Sequence, residues 1–193
     1  MTAPTNSEGR IMVTYTEAQF GGRYVLIART NMDGRNLEAR DTLTVRVPGL
    51  VELPEAVYYE RIGGRYPHSS NHWCTQAVME RVQSIAMVWF LENPNEALMM
   101  INDMSLEYGG LFDVRGNWQS PHDSHRIGTD VDVRTELPGL RRGIPTRIPR
   151  NATDWRTTTW IGCPQFIQIC RIFGGNPERH SANTIFEHYH IDF

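Results

Sequence analysis

An α+β fold is what this 193-residue sequence predicts. Three observations carry that expectation. The first fifty residues hold β-branched and aromatic runs broken by glycine pairs. The next stretch changes to apolar residues at three- and four-residue steps. The remainder mixes short strand-like and helix-like segments without the strict alternation of a parallel α/β sheet.

The elements follow in order. Ile11–Tyr15, Arg23–Arg29 and Thr42–Val47 read as strands, with Gly21-Gly22 and Asp33-Gly34 as the turns between them. Pro48–Pro54 reads as a linker, which divides the chain into a β segment at 1–50 and a larger domain at 51–193. From Thr75 to Glu92 the residues Ala77, Val78, Val82, Ile85, Ala86, Trp89 and Phe90 recur with helical spacing, and Pro94 closes the run. Leu98–Met104 reads as a strand ending in a Gly109-Gly110 loop, and Asp130–Val133 as another. Residues 134–152, with Pro138, Gly139, Gly143, Pro145 and Pro149, read as a long surface loop and a wall for a cleft. Gln165–Phe173 reads as an amphipathic helix ended by Gly174-Gly175, and Phe186–Phe193 as the last strand.

Composition excludes several classes of function. A formal net charge of −3 is unlike the basic face of a general nucleic-acid binder. No apolar run is long enough to span a membrane, and the polar start Met1–Ser7 is unlike a signal peptide. Three cysteines (Cys74, Cys163, Cys170) without a Cys-x-x-Cys argue for neither a disulfide framework nor a thiolate metal site. Cys163 and Cys170 stand seven apart, a spacing that puts them on one buried helix face.

The chemistry is concentrated in two places. Ser124-His125-Arg126-Ile127-Gly128-Thr129-Asp130-Val131-Asp132-Val133 sets a His and an Asp seven positions apart across a glycine. Glu187-His188-Tyr189-His190 supplies a His-x-His. On a strand, Asp130 and Asp132 point one way while Val131 and Val133 point the other. By the same parity His188, His190 and Asp192 share a face, opposite Tyr189, Ile191 and Phe193. Gly128 allows a turn that folds His125 back toward the strand. Two histidines and a carboxylate make an open zinc site with one position left for water. Asp130 either orients His125 or is simply a polar cleft residue. His122 is a candidate for the same role or for a substrate contact, though an exposed loop histidine is the plainer reading. His68 and His72, with Cys74, mimic a ligand cluster but lack a fourth ligand at zinc-finger spacing, so they read as loop residues. Trp118, Trp155 and Trp160 read as core or cleft lining.

Taken together, Ser124-His125-x-x-Gly128-x-Asp130-x-Asp132 and His188-x-His190 resemble the zinc peptidases that cut bacterial cell-wall peptides. These are the penicillin-insensitive murein endopeptidases, the D-Ala-D-Ala carboxypeptidases and dipeptidases, and the related hedgehog-like zinc fold. Ser124–Asp132 is most like the murein endopeptidases, and Asn102–Ser105 leading to Gly109-Gly110 also fits their pattern. The resemblance spans about residues 65–193. It implies a small antiparallel sheet with flanking helices around one zinc ion held by His125, Asp132 and His190. It also implies a peptidase acting on peptidoglycan stem peptides or cross-links, in the cell envelope or outside the cell.

Two residues compete for the general base. In the carboxypeptidase branch a Glu three positions before the last ligand takes the water proton, here Glu187. In the endopeptidase branch a His two positions before it does so, here His188. Parity favours His188, which shares a face with His190. Arg126, Arg115, Ser105 and Ser120 are candidates to hold an oxyanion or a substrate carboxylate. Gly22–Ala28 followed by Asp41–Val45 resembles the end of a bacterial immunoglobulin-like repeat. Three strands are too few for a sandwich, so the segment is a truncated repeat or a β extension of the next domain. A surface-protein context leaves a second expectation: a zinc-containing binding or scaffold module without catalysis. A monomer is expected, with a peptide partner and no nucleic acid.

Overall fold

In the computed structural model, residues 4–16, 19–63, 68, 70–94, 96, 98–113, 124–134, 163–180 and 188–193 are described. Among them the fold is α+β, with two helices, two small two-stranded sheets and a mixed five-stranded sheet. The strands β1 (Gly22–Met32) and β2 (Arg35–Val45) form a long antiparallel hairpin. Its two-residue turn, Asp33-Gly34, has both residues at positive φ (53° and 76°), which suits the right-handed twist of the strands it joins. Ile11–Tyr15 forms no strand and lies exposed: among the described residues no strand pairs with it, and a β-branched run gains nothing from extension unpaired.

The stretch that reads as a linker contains β3 (Leu50–Glu52), which pairs antiparallel with β5 (Trp73–Thr75). Between them lies β4 (Tyr59–Arg61), at one edge of the large sheet. Helix α1 (Gln76–Glu92) starts at Thr75, whose Oγ1 accepts from the Val78 amide at 3.3 Å. Such a cap is worth about 1 kcal/mol. The sheet continues with β6 (Met99–Ile101) and β7 (Asp130–Arg134). Helix α2 (Pro164–Ile172) ends as the glycine pair predicts: Gly174 sits at φ +80°, its amide donates to Arg171, and the Gly175 amide donates to Cys170. The chain then adds β8 (Asn176–His180) and β9 (His188–Asp192).

The five strands lie in the order β4-β6-β7-β9-β8. The expectation of an antiparallel sheet needs one correction, because β4 runs parallel to β6. The chain reaches β6 from β4 through α1, and a crossover of that length is what parallel neighbours require.

The core sits between the helices and one face of this sheet. Val78, Val82, Ile85 and Trp89 of α1 and Phe166, Ile169 and Cys170 of α2 pack on Met99, Ile101, Val131, Val133, Tyr189 and Ile191. Trp89 meets Phe166 edge to face at 5.7 Å, and Phe166 meets Tyr189 at 5.0 Å. Each fully buried side chain of this size contributes about 1.5–3 kcal/mol. The parity expected of β7 and β9 therefore holds, with their valines, Tyr189 and Ile191 turned inward. Cys170 is buried and Cys163 half-buried beside the same core.

Candidate metal centre

The polar residues of β7 and β9 meet on the sheet face opposite the helices. Antiparallel register sets Asp132 directly beside His190 and Asp130 beside Asp192. Main-chain bonds hold Asp132 in place: its amide donates to Asp103 and its carbonyl accepts from Asn102, both at 2.8 Å.

His125 arrives from outside the sheet, on the turn before β7. Its φ is +64°, a left-handed conformation that few non-glycine residues adopt. Two contacts hold it there. The His125 amide donates to Asp130 Oδ2 at 3.0 Å, so Asp130 orients the main chain of His125. Gly128, at φ +73°, passes so close to β3 and β5 that a Cβ would stand 2.5 Å from Leu50 Cδ2 and 2.7 Å from Cys74 Cα. Its carbonyl accepts from the Thr75 amide at 3.0 Å. Only glycine fits this position. Phe112 packs against the His125 ring at 5.2 Å between centroids.

Three imidazoles converge on one carboxylate. His190 Nδ1 lies 2.9 Å and His125 Nε2 3.3 Å from Asp132 Oδ1, while His188 Nε2 lies 3.2 Å from Oδ2. All four residues are buried, none more than 7 % exposed. One ligand atom each from His125, Asp132 and His190 falls within 4.8 Å of the others. Burial pulls the His125 and His190 imidazoles down, but the hydrogen bond and charge of Asp132 outweigh it and raise both. Burial pushes Asp132 up, and hydrogen bonds from His125 and His190 with the charges of His125 and His188 reverse the sign. Its carboxyl sits far below the usual range. A carboxylate that stays ionised among imidazole donors is the chemistry of a metal site, and the cluster His125, Asp132, His188 and His190 could hold a metal ion.

The other expected residues are placed as follows. Arg126 is exposed, and its carbonyl accepts from the Gly110 amide at 2.8 Å. Ser105 is wholly buried and its Oγ donates to the Leu106 carbonyl at 3.3 Å. His72 is buried against the Ile101 carbonyl at 3.1 Å, and burial pushes its pKa down. His68 contacts the Asp113 carbonyl. Glu187, Arg115, Ser120 and His122, with Trp118, Trp155 and Trp160, lie outside the described residues.

One residue escapes the sequence reading. His180, on β8, is the register partner of His188 and stacks on His190 at 4.4 Å with planes 11° apart. Burial and the charges of His190 and His188 push its pKa down. The available signal was the spacing of Gly174-Gly175 from His188, which leaves room for a return strand beside β9.

The chain matches no protein-family model and no curated protein. Among the described residues no helix is long and apolar enough to cross a membrane.

Proposed function

We propose that this protein is a zinc-dependent hydrolase of amide bonds, a peptidase that cuts peptidoglycan stem peptides or cross-links. The observation that carries the reading is the convergence of His125, Asp132 and His190, buried, with ligand atoms within 4.8 Å of one another. Three protein ligands with one open position is the arrangement of catalytic zinc, whereas structural sites use four. The substrate class, and a place in the cell envelope or outside the cell, follow from the resemblance of Ser124–Asp132 and His188–His190 to the cell-wall peptidases.

A zinc ion held by these residues supplies Lewis-acid polarisation of the scissile carbonyl and lowers the pKa of water to about 7. His188 accepts the proton of the attacking water and returns it to the leaving amine. Asp132 Oδ2, 3.2 Å from His188 Nε2, holds that ring against the cluster. Asp130 fixes the turn that presents His125. Arg126, exposed on that turn, is a candidate to meet a substrate carboxylate.

Elemental analysis of dialysed protein is expected to find about one zinc per chain. His125→Ala, Asp132→Ala and His190→Ala are each expected to abolish muropeptide digestion. Digestion by these variants at the parent rate refutes the peptidase reading. Zinc bound without cleavage of any amide favours a binding module instead. His188→Ala compared with Glu187→Ala identifies the base.

A further inference from the structure

The two faces of the β1–β2 hairpin handle charge differently. Paired residues share a face, so Arg29 and Glu38 lie on one side together with Val25, Ile27 and Arg40. Charges on that side are neutralised within the hairpin: Glu38 meets Arg29 at 2.7 Å and Arg40 at 2.6 Å. The other side carries four exposed rows, Leu26 with Asp41, Ala28 with Ala39, Thr30 with Leu37 and Met32 with Arg35. Nearer the hairpin base Tyr24 and Leu43 are half-buried, and the Tyr15 ring stands 6.3 Å from that of Tyr24. Uncovered apolar surface on this side therefore begins at Leu26.

Asp41 and Arg35 are the two charges of these rows, and neither is in an ion pair among the described residues. Both stand on β2, about 20 Å apart along the strand, so they cannot meet within one chain. They do meet across a second copy. A two-fold axis running across the strands, midway between the Ala39 and Leu37 rows, lays the face on itself with strands antiparallel. Asp41 of each copy then falls on Arg35 of the other, and Leu26 falls on Met32. Ala28 and Ala39 fall on Thr30 and Leu37, so small side chains oppose larger ones. Stacked sheets cross by about 30°, an offset that an arginine side chain spans at these rows. A two-fold axis along the strands instead sets each row on itself and brings no Asp41 to an Arg35.

We propose that this face is a self-docking surface, through which two copies of the chain pair face to face and antiparallel. The pairing goes beyond the hydrolase reading and does not depend on the metal centre. It stands in place of the monomer expected from the sequence. A two-fold contact uses one patch twice, so the match of Asp41 with Arg35 occurs twice in each dimer. Four rows of a two-stranded ribbon make a small interface, so the dimer is weak and dissociates on dilution.

Sedimentation of the full chain over a concentration series, with chelator present so that no metal bridges copies, tests this. The parent is expected to pass from monomer to dimer. Asp41→Arg and Arg35→Asp, each alone, set like charges together and are expected to raise the dissociation constant about tenfold. The double variant Asp41→Arg with Arg35→Asp restores the match and is expected to return to within about threefold of the parent. Both positions are exposed, so the far-UV spectrum is expected to stay that of the parent in every variant. A parent that stays monomeric up to about 1 mM overturns the proposal. A dimer undiminished in both single variants also overturns it, because the contact then lies elsewhere. A double variant as weak as the single ones overturns the antiparallel register.

Discussion

The β7–β9 pair and the β1–β2 hairpin use the same antiparallel pairing and end in opposite environments. β7 and β9 pair over five residues each, with one face in the core and the other in the buried cluster. β1 and β2 pair over eleven, yet Val25, Leu26, Ile27, Met32 and Leu37 remain 43–62 % exposed. On the hairpin, parity gathers Tyr24, Leu26, Ala28, Met32, Leu37, Ala39 and Leu43 on one side, but no described layer covers it. Backbone pairing alone thus gives a strand, while a packed layer behind it turns residue parity into one apolar face and one buried polar face.

The largest expected effect comes from the centre of the buried pair. Asp132→Ala leaves three imidazoles without their shared carboxylate. Breaking a buried charge cluster in this way costs about 3–5 kcal/mol. Loss of bound zinc should accompany it, read by elemental analysis and by urea denaturation of stripped protein. Next comes Ile191→Ala on β9, where the side chain is 1 % exposed. The expected loss is about 2–5 kcal/mol in urea denaturation.

A smaller effect is the pH dependence of the metal-stripped protein. Asp132 is lowered, so its contribution is present above the unfolded pKa of about 4 and fades as pH falls through the folded value. His125 and His190 are raised, so theirs is complete below about 6.5 and fades as pH rises through their folded values. The cluster therefore stabilises stripped protein most between about pH 4 and 6.5. Zinc, which needs deprotonated imidazoles, should add more stability at pH 8 than at pH 5.5. Melting curves with zinc and with chelator at both pH values check the sign. Equal zinc-induced shifts at the two values would count against the charged cluster.

The smallest effect should come from repeating the isoleucine truncation on the hairpin. Ile27, 45 % exposed, should lose no more than about 0.5 kcal/mol on change to Ala. A loss like that of Ile191→Ala would mean the hairpin is covered in solution.

Much of the fold was legible because its elements carry period. The apolar steps of α1, the glycine pair after α2 and the alternation in Asp130–Val133 and His188–Ile191 each name an element and its inward face. Three-residue strands such as β3 and β4 carry too few residues to show a period, which is why β3 read as a linker. β8 was illegible for another reason. As an edge strand its sequence, Asn-Pro-Glu-Arg-His, tolerates a proline and has almost no apolar alternation. With β8 unread, His180 went unread too. The grouping of His125 with Asp132 and His190 was readable from residue types and strand parity. The means of holding His125, a left-handed main chain tied to Asp130, was not, because backbone strain leaves no mark on residue type.

The base of the hairpin is sewn to the turn that carries His125. Gly21 and Val47 donate amides to Gly109 and Tyr108, and Gly110 donates to Arg126, the residue after His125. Main-chain bonds therefore couple the base of the hairpin directly to the turn that carries His125. A shift at the base of the hairpin would thus be felt at His125, whose main chain already sits at a φ of +64°.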